Sequence, residues 1–179
     1  MAGIIIYKGK YGATEQYSTW IAEELNLPVY RASAENTDIL NYCSYVILGT
    51  SVYVGKFQLT EWIRQHQDIL QRKKIFLLVV SGTSPNEKDK LNALVQKNIP
   101  AALLKNIEVF FLRGRMIRSN LSFFDSFILK MGASMVKDPV EKKKMLTDFD
   151  CVKKENLKAL LSTIKASGFI ARFTQQVTE

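Results

Sequence analysis

The sequence predicts an α/β domain with a doubly wound, five-stranded parallel sheet and helices on both faces, a three-layer α/β/α arrangement. Five short apolar runs have the length and continuity of strands that are buried on both sides. Apolar residues at helical spacing lie between these runs, as in strand–helix–strand crossovers. No internal repeat, low-complexity tract or linker divides the 179 residues, so we expect a single domain over residues 1–179.

The five predicted strands are short and unequal in strength. They cover residues 2–7, 29–31, 45–49, 75–80 and 107–112. The fourth run carries the strongest strand signal and the second the weakest, because only three residues support the second.

Each predicted helix has an apolar face at a spacing of three and four residues. These faces are Tyr17, Trp20, Ile21 and Leu25; then Leu59, Trp62, Ile63, His66, Ile69 and Leu70; then Leu91, Leu94 and Val95; and finally Leu157, Leu160, Leu161 and Ile164. Ser84, Pro85 and Glu87 form a capping-box pattern, which predicts that the third of these helices is capped at Ser84. We interpret both tryptophans and the single histidine as core residues.

The formal net charge of +8 favours an anionic partner. Nucleic acid, an anionic lipid and an acidic ligand all satisfy this condition, but no nucleic-acid recognition motif accompanies the charge, so we do not expect nucleic acid to be the main ligand. Cys43 and Cys151 are far apart in sequence and have no paired spacing, which predicts reduced thiols in the core.

The expected location is cytoplasmic. The sequence has no apolar run of the roughly 18 to 20 residues that a membrane-spanning helix needs, and its start lacks a secretory-signal pattern. Peripheral contact with the inner face of the membrane is a second expectation, and it depends on the basic aromatic segment described below.

Ligands of doubly wound sheets bind beyond the carboxyl ends of the strands, where the winding reverses. Three segments therefore form the predicted site: residues 8–14, 50–56 and 81–86. The first joins a strand to a helix N-terminus, whose free N–H groups and dipole favour a phosphate. Gly9 and Gly12 let the backbone approach such a group closely.

Two common nucleotide-binding signatures do not match. The segment "GTSVYVGKF" at 49–57 separates its glycines by five residues, and Phe57 occupies the position of the magnesium-binding Ser or Thr, so an ATPase loop is excluded. The first turn offers only Gly9-x-x-Gly12 rather than G-x-G-x-x-G, which argues against NAD. A mononucleotide with its phosphate in the first loop is the remaining interpretation.

Four motifs in order resemble the flavodoxin-like proteins, and most closely the menaquinone-dependent protoporphyrinogen oxidase branch with its flavodoxin-domain relatives. They are Gly12-Ala13-Thr14, Thr50-Ser51-Val52-Tyr53-Val54-Gly55, the basic aromatic segment "FLRGRMIRSNLSFFDSFILKMG", and Thr147-Asp148-Phe149. This resemblance spans nearly the whole chain and implies a flavodoxin-like fold that binds flavin mononucleotide (FMN) noncovalently.

The resemblance also assigns the cofactor-binding residues. They are Lys8, Gly9, Lys10, Tyr11, Gly12, Ala13, Thr14, Thr50, Ser51, Val52, Tyr53, Val54, Gly55, Ser81, Gly82, Thr83 and Ser84. Tyr53 is the candidate for stacking on the flavin ring, and residues 81–84 are expected at its pyrimidine edge. Lys8 and Gly9 depart from the family pattern, which has hydroxyl side chains there. The basic charge also departs from that of the acidic electron-carrier flavodoxins.

The segment 113–137 supports two interpretations. Phe124, Phe127, Ile128, Met131 and Met135 form one helical stripe, and basic residues surround it. Either this helix packs on the sheet beside a solvated basic loop, or it forms an interfacial surface for an anionic lipid, a quinone or an acidic tetrapyrrole.

The leading functional expectation is an FMN-dependent oxidoreductase that resembles protoporphyrinogen oxidase and has a small-molecule or quinone redox partner. The alternative is a flavodoxin-type carrier that moves electrons between redox proteins, and a third is a flavin-free module with a basic surface. With one histidine and two distant cysteines, no hydrolytic triad or metal-ligand cluster is apparent, and catalytic residues cannot be named.

Overall fold

A computed structural model describes residues 3–169 of the chain. The first predicted strand begins at Ala2, which lies outside the described residues. The expected single domain over residues 1–179 also extends beyond them at both ends, so it stays a prediction. The strands are β1 (Gly3–Lys8), β2 (Val29–Arg31), β3 (Tyr45–Tyr53), β4 (Lys56–Phe57), β5 (Lys74–Ser81), β6 (Ile107–Arg113), β7 (Arg115–Met116) and β8 (Phe149–Asp150).

Five strands form a parallel sheet in the order β2-β1-β3-β5-β6, which confirms the predicted doubly wound architecture. The chain leaves β1 to one side to form β2 and then returns to form β3 on the other side. The winding therefore reverses between β1 and β3, where a ligand crevice is expected in this class of sheet. The register aligns the carboxyl ends, since Lys8 pairs with Thr50 and Ser81 with Arg113.

Helices cover both faces of this sheet. They are α1 (Ala13–Leu25), α2 (Thr37–Asn41), α3 (Thr60–Gln65), α4 (Gln67–Leu70), α5 (Lys88–Asn98), α6 (Ala101–Leu104), α7 (Phe123–Met135), α8 (Pro139–Met145) and α9 (Lys158–Ala166). Residues of α2 to α6 pack in one core cluster with alternate strand residues, and α1 and α9 pack in the other. Three-residue and four-residue 3₁₀ turns lie at Ala34–Asn36, Arg118–Asn120 and Lys154–Leu157.

The second predicted helix is divided at His66. The backbone of this residue has φ −106° and ψ 15°, so α3 ends at Gln65 and α4 starts at Gln67. Its ring is buried, stacks on Trp62 and forms 2.8 Å hydrogen bonds through its two nitrogens to Thr37 Oγ1 and Trp62 O. These contacts are consistent with the structural role expected for this histidine.

The predicted cap at Ser84 is wrong, because α5 begins at Lys88. The two side chains of the capping pattern instead stabilise the turn before the helix. The N–H of Ser84 donates to Glu87 Oε1 at 3.2 Å, and Ser84 Oγ accepts from the N–H of Asn86 at 3.4 Å. Glu87 has ψ 56°, which delays the start of the helix by several residues.

The segment 50–53, predicted as a loop, is the last part of β3. It extends because Val52 and Tyr53 pair antiparallel with Phe57 and Lys56 of β4. The connecting residues Val54 and Gly55 have φ values of 48° and 71°. The sequence pattern did not indicate this hairpin, since β4 is only two residues long.

The sequence analysis also missed an excursion beyond β6. Residues 114–150 leave the sheet, form α7 and α8, and return through a two-stranded antiparallel ribbon of β7 and β8. Phe124, Phe127 and Met131 of α7 are 66%, 58% and 51% exposed, so the first interpretation of this stripe, packing on the sheet, is wrong. Within residues 3–169, no helix has the length and apolar character needed to cross a bilayer.

Candidate functional site

The carboxyl ends of β1, β3, β5 and β6 open into one cleft with a volume of about 1090 Å³. The segments after β1, β3 and β5 form one side of it, and the excursion 114–150 forms the other. This volume is slightly above the usual range for small-molecule sites, roughly 300 to 1,000 Å³, and leaves room for a mononucleotide.

The structure brings most of the sequence-predicted site residues together in this cleft. Those that line it are Lys10, Tyr11, Ala13, Thr14, Ser51, Val52, Tyr53, Val54, Ser81, Gly82, Thr83 and Ser84. Lys8, Gly9, Gly12, Thr50 and Gly55 are not part of the lining. Of these, Thr50 is fully buried, and its hydroxyl accepts from the N–H of Leu59 at 3.2 Å.

The first loop is shaped by a close approach between Gly9 and Thr14. A Cβ atom added to Gly9 would lie 2.8 Å from both Cβ and Oγ1 of Thr14, so this position accepts only glycine without a shift of the loop. Gly12, with φ 78°, precedes the first residue of α1. The loop therefore brings the helix N-terminus, where unpaired N–H groups favour an anion, to the edge of the cleft.

Three buried hydroxyl groups on the cleft wall have no hydrogen-bond partner among the described residues. They are the phenolic hydroxyl of Tyr11 in the first loop, Oγ1 of Thr14 in the first turn of α1, and Oγ of Ser51 near the end of β3. Thr14 is only 1% exposed. Because buried polar groups are nearly always hydrogen-bonded in native proteins, these hydroxyls are suited to a polar ligand.

Lys10, Tyr53 and Asp125 form a polar cluster at the middle of the cleft. Lys10 Nζ lies 2.7 Å from both carboxylate oxygens of Asp125, and the Tyr53 hydroxyl donates to Oδ1 of Asp125 at 2.5 Å. The same ammonium lies 4.1 Å from the centroid of the Tyr53 ring. The hydrogen bond to Asp125 raises the pKa of Lys10 above its ordinary value, so the lysine keeps its positive charge at neutral pH.

The third segment lies against the return of the excursion. A Cβ on Gly82 would lie 3.2 Å from Cζ of Phe149, and the N–H of Gly114 donates to the carbonyl of Ser81 at 2.9 Å. Ser81 Oγ donates to the carbonyl of Thr83 at 3.4 Å. The main chain at 81–83 thus approaches the excursion closely.

The opposite wall combines apolar side chains with basic ones and with the acidic Glu141 and Asp148. Met116, Leu121, Ile128 and Leu129 contribute apolar surface. The guanidinium of Arg113 lies 5.3 Å from the centroid of the Phe149 ring, and its Nε has no hydrogen-bond partner among the described residues. The apolar surface suits a flat apolar body, and the Arg113 guanidinium suits an acidic group.

Asn98 of α5 anchors the segment after β3 through its side-chain hydrogen bonds. Sequence reasoning did not identify this residue. The Oδ1 atom of this buried side chain accepts from the N–H of Phe57 at 3.0 Å and from Thr60 Oγ1 at 3.2 Å. Its Nδ2 donates to the carbonyls of Gly55 at 3.2 Å and Leu94 at 2.8 Å. All of its polar atoms are used to hold the hairpin.

Other reactive groups lie away from the cleft. Cys43 is buried, and burial raises the pKa of its thiol, whereas Cys151 is partly exposed, so the prediction of two core cysteines holds fully only for the first. Within residues 3–169, no group of three or more His, Cys, Asp or Glu side chains could hold a metal ion. The cleft therefore offers hydrogen-bonding and stacking groups.

The sheet order defines a doubly wound α/β protein, and its cleft lies at the carboxyl edge where the winding reverses. A model of the flavodoxin domain family matches residues 4–143. The chain belongs to the flavodoxin domain family, and this membership indicates a flavin cofactor and a role in electron transfer. No curated protein matched the chain in a sequence comparison.

Solved structures with a similar arrangement are distant in sequence. The Trp repressor binding protein from Bacillus subtilis is 12% identical, with 63% of this chain and 82% of that chain covered and a TM-score of 0.41. A flavodoxin from the domain Archaea is 14% identical, with 70% and 89% covered and a TM-score of 0.40. Rubredoxin oxygen:oxidoreductase from Desulfovibrio gigas is 14% identical, with 82% of this chain but 37% of that chain covered and a TM-score of 0.42.

Proposed function

We propose that the protein binds FMN in the cleft and acts as an FMN-dependent oxidoreductase. The observation that carries this proposal is the set of three unpartnered buried hydroxyls, those of Tyr11, Thr14 and Ser51, on the wall of a cleft in a flavodoxin-family chain. A ligand with several hydrogen-bonding oxygens, such as a ribityl phosphate, would satisfy them.

In this proposal the residues predicted from the sequence divide into three groups. The loop 9–14 and the N-terminus of α1 would hold the phosphate through backbone N–H groups and the Thr14 hydroxyl. Tyr53 would contact the ring, and residues 81–84 would bind its polar edge. The bound flavin would supply the redox chemistry, while the chain orients it and limits the access of water.

An enzyme with a small-molecule substrate is favoured over a simple carrier by the size and composition of the cleft. Beside the three proposed nucleotide-binding segments, it includes the apolar side chains of Leu121, Ile128 and Leu129, and Arg113 lines the same cleft. A flat, hydrophobic substrate with acidic groups, such as a porphyrinogen, fits this part of the cleft. We therefore propose an activity like that of menaquinone-dependent protoporphyrinogen oxidase.

The alternative is a flavodoxin-type carrier between redox proteins, which family membership supports equally. A carrier needs an exposed edge of the ring and no substrate pocket. The two functions differ in a simple experiment, since only the enzyme would reduce a quinone at the expense of a porphyrinogen without a second protein.

We also propose that the exposed face of α7 contacts an anionic membrane, where a quinone acceptor would be available. Phe123 and Met135, at the two ends of α7, are 91% and 80% exposed. The segment 113–137 carries five basic residues and one acidic residue, namely Arg113, Arg115, Arg118, Lys130 and Lys137 against Asp125. Of these basic residues, Lys130 lies on α7 and Lys137 lies two residues beyond its end. An exposed apolar face with basic residues nearby is typical of helices that lie in a membrane interface.

The primary test is a titration of the apoprotein with FMN, followed by the flavin fluorescence and the visible spectrum. We expect saturable quenching at micromolar concentrations and a spectrum shifted from that of free FMN. Absence of quenching would reject the FMN proposal. Incubation of the loaded protein with a porphyrinogen and a menaquinone analogue then separates the enzyme from the carrier.

A further inference from the structure

The cluster of Lys10, Tyr53 and Asp125 connects the first nucleotide-binding loop, the end of β3 and the excursion 114–150. The three residues are far apart in sequence, and of the three only Asp125 belongs to the excursion. Asp125 is 5% exposed, so its carboxylate is largely removed from water. Its backbone N–H donates to Ser122 Oγ at 3.1 Å, which fixes the carboxylate at the first turn of α7.

The ion pair determines how much positive charge the first loop offers to a ligand. Lys10 lies between Gly9 and Gly12, in the loop that would hold a phosphate, and its side chain lines the cleft. Its ammonium contacts both carboxylate oxygens of Asp125 at 2.7 Å. A dianionic phosphate held by this loop would compete with the carboxylate for the same ammonium. The negative carboxylate would also repel the phosphate.

We propose that Asp125 is a specificity-determining residue that reduces the preference of the cleft for phosphate-bearing flavins by holding the ammonium of Lys10. This inference rests on the proposed function. When Asp125 is paired, Lys10 contributes little to phosphate binding, and FMN exceeds riboflavin in affinity only through the backbone and Thr14. Release of the pair gives the loop a full cationic contact.

Asp125→Asn tests this assignment, because asparagine keeps the shape and can still accept the hydrogen bond of Tyr53. Asp68→Asn is the matched control, since it makes the same charge change at an exposed residue outside the cleft. We expect Asp125→Asn to bind FMN about tenfold more tightly than the parent, as one charge-assisted contact allows, and to bind riboflavin with unchanged affinity. Asp68→Asn leaves both affinities unchanged.

A double-mutant cycle with Lys10→Met identifies the residue through which Asp125 acts. Lys10→Met changes FMN affinity little in the parent but removes the whole gain in the Asp125→Asn background. An unchanged or reduced ratio of FMN to riboflavin affinity in Asp125→Asn would overturn the proposal and assign Asp125 to positioning Tyr53. Circular dichroism and thermal unfolding of each variant verify that it is folded.

A measurement without flavin separates this inference from the FMN proposal. Inorganic pyrophosphate is added to the apoprotein, and the shift in the unfolding temperature is compared between parent and Asp125→Asn. A larger shift in the variant supports the role of Asp125 even if the parent binds no flavin, in which case only the proposed function fails. Equal shifts contradict the assignment of Asp125 whatever the flavin titration gives.

Discussion

The hydroxyl of Tyr17 donates a 2.8 Å hydrogen bond to the backbone carbonyl of Arg113, which joins α1 to the end of β6. The same hydroxyl accepts from Nδ2 of Asn156 at 2.7 Å. Because Tyr17 is fully buried, water cannot take the place of these two hydrogen-bond partners of its hydroxyl. This tyrosine fixes the point at which the chain leaves the sheet for the excursion that forms one wall of the cleft.

We expect Tyr17→Phe to lower the free energy of unfolding by about 1 to 3 kcal/mol, because it leaves the buried partners of the hydroxyl unsatisfied. Tyr45→Phe is the matched control, since Tyr45 is equally buried but its hydroxyl has no partner among the described residues. Its removal should be neutral or slightly stabilising. Urea unfolding of both variants gives the comparison, and equal losses would contradict this account of Tyr17.

The burial of Tyr17 also predicts how the stability of the protein depends on pH. Burial raises the pKa of Tyr17, so the folded state keeps the phenolic proton at a pH where the unfolded chain has lost it. Its contribution to stability is complete below the ordinary tyrosine pKa of about 10 and decreases as the pH rises beyond that value. Stability measured at intervals from about pH 9 to pH 11 should therefore fall less steeply in Tyr17→Phe than in the parent.

The sequence was sufficient to predict the parallel sheet, because continuous apolar strands and periodic helices are strong local signals. It was insufficient for β4, β7 and β8, which are two residues long and depend on pairing with a distant segment. Their strand conformation is determined by tertiary contacts, so the local sequence periodicity does not indicate these strands.

The candidate site was predicted better at its loops than at its far wall. Thr14 and Ser51 belong to segments after strongly predicted strands, and the topology alone brings such segments to one edge. Asp125 and Asn98 act across more than forty residues of sequence, through side-chain contacts to Lys10 and to the β3–β4 hairpin. Contacts of this kind depend on the folded chain, so neither residue was assigned a role at the site from the sequence.

A second variant concerns the unpartnered hydroxyl in the first turn of α1. Thr14→Val keeps the shape of the side chain, and since Oγ1 has no partner among the described residues, the unfolding free energy should change by less than about 0.5 kcal/mol. FMN binding should weaken by about 1 to 2 kcal/mol, the scale of a lost hydrogen bond to a charged group. The FMN affinity of each variant is measured by fluorescence titration. The control is Thr19→Val, at an exposed position on the same helix. Unchanged FMN affinity in Thr14→Val would remove this hydroxyl from the site.

The anchor of the β3–β4 hairpin gives a third variant. Asn98→Leu replaces a buried side chain of similar size but removes the acceptor for the N–H of Phe57 and the donor to the carbonyl of Gly55. We expect a loss of stability of about 1 to 3 kcal/mol or more, together with weaker FMN binding because the hairpin carries Tyr53. The control is Asn92→Leu at an exposed position of the same helix, and hydrogen exchange at residues 52–58 reports whether the hairpin is released. Protection equal to that of the parent would contradict this role.

The last prediction concerns the exposed apolar face of α7. If this face enters the interface of an anionic membrane, vesicles containing phosphatidylglycerol should bind the protein, whereas pure phosphatidylcholine vesicles should bind it weakly. Salt should weaken the binding without abolishing it, because screening acts on Lys130 and Lys137 but not on the apolar contacts. Replacing both Phe124 and Phe127 by Ser should reduce binding at least about tenfold, since each exposed aromatic ring that enters the membrane contributes on the order of 1 kcal/mol or more.

The control for this experiment is Tyr42→Ser, which removes an aromatic residue that is 74% exposed on a different helix end. It should leave vesicle binding unchanged. The double phenylalanine variant should retain FMN affinity, because neither side chain lines the cleft. If the parent protein stays in the supernatant after sedimentation with anionic vesicles, membrane contact through α7 is excluded. If Tyr42→Ser reduces binding as much as the double phenylalanine variant does, the binding is due to nonspecific apolar exposure.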